Sequence, residues 1–148
     1  MDWSHFRFTS VWDLPAPPGT VFAALERAED YPLWWPQVRE VTRVDGTTAT
    51  TRVRAFLPYD LVLTVRRSRY DPAAGVLEGM MTGDLVGWVR WTVTPYAGGS
   101  RAAYEQEADV RRPLLRRLAV PCRPAFRANH ALMMRAGRRG LTARLQRV

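Results

Sequence analysis

His5, His130 and Cys122 are the only imidazole and thiol side chains in the sequence, and their spacing makes no metal site. Cys122 and His130 stand eight residues apart on what reads as one helix. That is roughly 12 Å along the axis, too far to share the proton that a Cys–His nucleophile needs. No glycine-rich phosphate loop and no strand–turn–helix serine motif is present. No cofactor and no metal are therefore expected. The chemistry falls to Tyr104, Gln106 and Asn129, polar residues on otherwise apolar faces. Such groups must bond to protein, water or ligand. They either satisfy one another or orient a carbonyl or hydroxyl of a bound molecule; in the second case Asn129 and Tyr104 are the candidate catalytic groups. Trp34 and Trp35, flanked by Pro32 and Pro36, would form a rigid aromatic cavity rim or a core staple.

The elements that position these residues follow from the punctuation. Alternation with aromatic and β-branched types predicts a strand over Phe6 to Leu14, closed by Pro15, Pro17 and Pro18. Pro18-Gly19-Thr20 opens a short helix through Arg27, and Asp30 caps a second turn that Pro36 stops. Six strands follow, over 39–44, 48–57, 61–70, 76–81, 85–94 and 101–110. Asp45-Gly46, Pro58-Tyr59-Asp60, the 71–75 turn, Gly83-Asp84 and Gly98-Gly99 separate them. From Pro113 to about Gln146 the composition is helical, with Pro121 and Pro124 kinking or tightening its first third and Gly137 and Gly140 loosening or ending it near Arg138. The fold class is α+β. A curved seven-stranded antiparallel sheet wraps a long C-terminal helix, with two short helices after strand 1, as one domain over 1–148.

Face assignments are consistent across the strands. Glu105, Glu107 and Asp109 share one face of the last strand, leaving Tyr104, Gln106, Ala108 and Val110 for the other. Val53, then Leu61, Leu63 and Val65, then Leu85, Val89 and Trp91 join that inward set. On the last helix, Leu118, Cys122, Ala125, Phe126, Asn129, Met133 and Ala136 form the expected inward arc, opposite a stripe of Arg116, Arg123, Arg127 and Arg138. The pocket this implies is lined by Val53, Leu63, Trp91, Tyr104, Gln106, Phe126, Asn129 and Met133.

Composition bounds the partners. The chain is 47% hydrophobic and 24% charged, an ordinary globular balance. It has no run long enough to span a bilayer and no basic-then-apolar leader, and a single cysteine suits a reducing compartment, so a cytoplasmic protein is expected. All 22 basic residues are arginine and the net charge is +8. Charge of this sign favours something acidic. Nucleic acid is not expected, because no exposed aromatics interleave with the stripe.

The order of elements, with Trp12-Asp13-Leu14-Pro15-Ala16-Pro17, Tyr31-Pro32-Leu33-Trp34-Trp35-Pro36, Gly83-Asp84-Leu85-Val86-Gly87 and Asn129-His130-Ala131-Leu132-Met133-Met134, resembles the START-like helix-grip (SRPBCC) superfamily. Polyketide cyclase/dehydrase and lipid-transport proteins of bacterial, high-GC type belong to it. The resemblance covers nearly the whole chain and implies a deep cavity between sheet and last helix. It implies binding of a hydrophobic small molecule, whether lipid, polyketide or aromatic metabolite. A polyketide cyclase or aromatase acting on a chain tethered to an acidic acyl carrier protein is the alternative. A ribosome- or membrane-associated protein with a basic surface is the third. Either a monomer or a dimer would serve.

Overall fold

A computed structural model describes residues 5–56, 59–111, 117 and 123–146. Strand β1 (His5–Leu14) is followed by helix α1 (Pro18–Glu26) and a short 3-10 helix (Ala28–Leu33). Six strands succeed them: β2 (Val38–Arg43), β3 (Thr48–Phe56), β4 (Tyr59–Asp71), β5 (Val76–Gly83), β6 (Leu85–Tyr96) and β7 (Gly99–Val110). Helix α2 (Arg123–Gln146) is the last of the described elements. The α+β helix-grip architecture is the one expected.

Local chemistry explains the joints. Pro17 is the N-cap of α1 and Pro18 its first residue, so the first turn starts from a preset φ without a side-chain cap. The Asp45 carboxylate accepts from the Thr47 backbone N–H at 2.8 Å and shapes the β2–β3 turn. At the β5–β6 turn, Asp84 Oδ2 accepts from the Val62 N–H at 2.8 Å, tying that turn to β4.

All seven strands pair antiparallel in the order β1-β7-β6-β5-β4-β3-β2. The first strand therefore lies beside the last, with His5 opposite Asp109 and Leu14 opposite Ser100. Burial alternates strictly along β7, so Tyr104, Gln106, Ala108 and Val110 face inward while Glu105, Glu107 and Asp109 do not. A register shift at Ser68 in β4 turns both Arg67 and Tyr70 toward the concave side, where the Tyr70 ring packs on Phe22 of α1.

Two apolar clusters fill the concave side. One gathers Trp12, Trp34, Trp35 and Trp91 with Val21, Phe22 and Leu25 of α1 and Leu141 of α2. The other gathers Phe6, Leu61, Leu63, Met81, Ala108 and Val110.

Helix α2 corrects the expected inward arc. Phe126, Asn129 and Met133 of that arc do face the cavity, but the buried residues of the helix are Met134, Gly137 and Leu141, to one side of it. The inward side is thus rotated by part of a turn, toward His130, Met134 and Gly137. Its glycines are the cause. A Cβ at Gly137 would stand 2.6 Å from Trp35 and 2.8 Å from Trp12, and one at Gly140 would run into the Trp34 carbonyl oxygen. Gly137 and Gly140 are contact points at which the helix presses onto the tryptophans, and the helix runs unbroken past both. The stripe changes with the turn. Arg123 lies over the Phe6 ring at 4.4 Å, and Arg127 lies 5.9 Å from the Phe8 ring. Leu118, Cys122 and Arg116, along with the kinks expected at Pro121, fall outside the described residues.

Candidate functional site: an apolar cavity with one polar wall

Between the two clusters lies a cavity of about 290 Å³. Its walls come from β1, α1, the 3-10 helix, β2 to β7 and α2, which is what a sheet curved around one helix leaves when the helix is held off by large rings. Val53, Leu63, Trp91, Tyr104, Gln106, Phe126, Asn129 and Met133 all line it.

Trp34 and Trp35 require a correction. They are 6% and 4% exposed and stack on one another at 5.5 Å, so they form core and not a solvent-facing rim. Trp12 crosses Trp35 edge-on at 5.3 Å, and the Trp35 indole N–H donates to the Met133 carbonyl at 2.9 Å. That bond satisfies the ring's one polar group, which is what lets a tryptophan be buried this deeply. Trp35 still contributes a cavity wall, from inside.

The polar wall is built on one oxygen. Tyr104 and Gln106, two apart on β7, point the same way, and the Tyr104 hydroxyl donates to Gln106 Oε1 at 2.6 Å. His130 Nε2 approaches the same oxygen at 3.1 Å. Because that oxygen can only accept, the imidazole proton is assigned to Nε2. The Gln106 amide then faces Met81 Sδ at 3.8 Å, a weak contact. The His130 ring stacks on Phe8 with centroids 3.8 Å apart and planes within 6°. The partner of Tyr104 is thus Gln106, one of the two that the sequence offered; Asn129 lines the cavity beside this network.

Electrostatics make this wall quiet. Burial pushes the His130 imidazole down from 6.5 to about 4, so it is neutral at physiological pH. Burial also raises the Tyr104 phenol far above its ordinary value. A weak base and a weaker acid share one acceptor, and neither exchanges a proton readily near pH 7.

The opposite end of the lining is charged. Glu26 of α1, Arg43 and Thr47 of the β2–β3 hairpin and Arg67 of β4 contribute there. Arg43 pairs with Glu29, and the Arg67 guanidinium lies over the Tyr70 ring at 4.4 Å. Among the described residues no cluster of His, Cys, Asp or Glu could hold a metal ion.

His130 is the site residue that sequence reasoning left at the edge of its arc. A signal existed: His130, Met134, Gly137 and Leu141 recur at spacings of four, three and four, one inward stripe of a helix, once glycine is counted as a buried type.

The profile described as polyketide cyclase/dehydrase and lipid transport matches residues 14–133, most of the chain. The chain belongs to that family. Solved structures agree on the fold. A START superfamily protein from Mycobacterium smegmatis is 18% identical, with 97% of each chain covered and a TM-score of 0.70. A protein from Thermus thermophilus is 15% identical over 94% of this chain and 97% of that one, at 0.72. The Zhui aromatase/cyclase from a Streptomyces species is 16% identical over 91% of this chain and 94% of that one, at 0.63. No curated protein matches. Among the described residues no helix is long and apolar enough to cross a membrane.

Proposed function

We propose that the protein binds a hydrophobic small molecule in this cavity and carries or senses it without altering it. The supporting observation is the polar wall. Its hydroxyl, amide and imidazole bond to one another, and neither titratable member is tuned to move a proton near neutral pH. The rest of the lining is mainly aliphatic and aromatic, which suits a ligand recognised by burial of apolar surface. At about 25 cal/mol per Å² of apolar area removed from water, a ligand filling the cavity needs few polar contacts to bind at micromolar strength.

A second reading, a cyclase or aromatase, draws on family membership and on the likeness to an aromatase/cyclase. Folding a reactive chain inside a shaped cavity requires no catalytic triad. The wall's proton chemistry weighs against it.

Native mass spectrometry of protein purified from its own host, paired with titration of an apolar fluorescent dye, tests the carrier. One small molecule per chain, displacing the dye with saturation, is the expected result. A polyketide thioester mimic cyclised faster with the protein than without it would replace the carrier by the enzyme. The absence of any saturable binding would remove both.

A further inference from the structure

The net charge of +8 is concentrated in one part of the molecule. From Pro113 to Val148 the chain carries nine of its 22 arginines and none of its 14 acidic residues, while the first 112 residues balance to within one charge. Part of that charge is occupied by the fold. Arg123 and Arg127 lie along the rings of β1, Arg144 stands 3.8 Å from Asp30, and Arg138 is close enough to Asp13 to help hold that carboxyl down, after the larger effect of Arg101. Among the described residues no ion pair involves Arg135 or Arg139.

Both project from the side of α2 opposite Met134, Gly137 and Leu141. Exposed Ala128, Ala131 and Leu132 continue that side toward the start of the helix. Leu132 is 63% exposed. The outer side of α2 therefore presents arginines and an exposed leucine together.

We propose that this side docks on an anionic lipid surface, with Arg135 and Arg139 against lipid phosphates and Leu132 at the headgroup boundary. Guanidinium forks match phosphate oxygens in pairs. Each basic residue near an anionic leaflet strengthens binding by about 5-fold. An exposed leucine, unfavourable in water, is favourable where headgroups give way to hydrocarbon. An acidic protein would satisfy the arginines, and Leu132 decides for a surface that offers phosphate and hydrocarbon at once. RNA would call for aromatic stacking platforms, which this side lacks. The inner side of the same helix walls the cavity, so docking brings the cavity to the membrane.

Flotation with vesicles of phosphatidylcholine, with and without phosphatidylglycerol, tests the proposal. The wild type should float with the anionic vesicles and not with the neutral ones, and added salt should release it. Arg135→Glu with Arg139→Glu should weaken binding by about 10-fold or more. Arg39→Glu with Arg66→Glu, an equal charge change on exposed arginines of β2 and β4, should leave it near wild type. Leu132→Ser should weaken flotation with no change in charge. Unchanged melting temperatures separate lost docking from lost folding, and Arg135→Gln with Arg139→Gln replaces the reversal if that variant does not fold. No flotation of the wild type, or equal binding of the reversal and its control, overturns the proposal. Retention on immobilised RNA or an acidic protein without flotation overturns it equally.

Discussion

His130 and His5 respond to acid in opposite ways. The neutral His130 ring is held between Phe8 and Gln106, and its folded value of about 4 lies below the unfolded 6.5. The unfolded chain therefore takes up a proton as pH falls through 6.5 while the folded one resists until near 4. The stability from this ring is complete above pH 6.5 and is lost as pH falls toward 4, by about 3 kcal/mol in all. His5 is raised by hydrogen bonds to Asp109 and Glu107, each at 2.8 Å. Its contribution is present below 6.5 and fades as pH rises through its folded value. His130→Gln should flatten the acid sensitivity, so that the loss of unfolding free energy from pH 7 to about 4.5 shrinks by about 2 kcal/mol in urea titrations. An unchanged loss would mean that His130 is solvated in solution. Sequence showed that Tyr104 and Gln106 share a face, because that follows from strand period alone. Which side chain across the cavity would complete the network depended on the rotation of a helix, and a part-turn brought His130 onto Gln106 with Asn129 beside it.

That rotation is decided at the level of elements, where strands and helix were unequally legible. Alternating charge along β7 leaves one possible inward face, since a slip of one residue would bury Glu105 and Glu107. The hairpin turns carry their own residues, and the boundaries moved by only a few positions. Helix α2 offered no such contrast, because arginine and alanine are spread around it and its tightest contacts are made by residues without side chains. On an exposed helix, Gly→Ala stabilises by about 1 kcal/mol. Here a methyl at Gly137 would meet two indole rings wedged in the core, and one at Gly140 would meet backbone. Gly137→Ala should instead cost about 1–3 kcal/mol, and Gly140→Ala more, read as a fall in the urea midpoint. A gain in stability from either would show that α2 stands off the tryptophans.

For the molecule as a whole, the cavity is a trade of stability for ligand space. Side chains facing a void forgo the contacts that a packed neighbour would give. Val53 on β3 faces that space. Val53→Phe should fill part of it, raise stability by about 1 kcal/mol, and displace the apolar dye from the folded protein. A stabilised variant with unchanged dye affinity would show that ligand sits elsewhere.

The neighbouring positions of β1 and β7 constrain how the chain reaches this state. His5 and Asp109 are 104 residues apart in sequence and face each other in the sheet. The first strand made during synthesis has no lateral partner until nearly the last strand has emerged. The hairpins from β2 to β7 can form in sequence, each from local contacts, whereas closing β1 onto β7 requires the longest loop in the sheet to be brought together. Until then Phe6, Phe8 and Trp12 remain without the partners they have in the finished fold. The nascent protein thus passes through a stage with an open sheet edge and bare aromatic rings, the stage at which a chaperone would have something to hold.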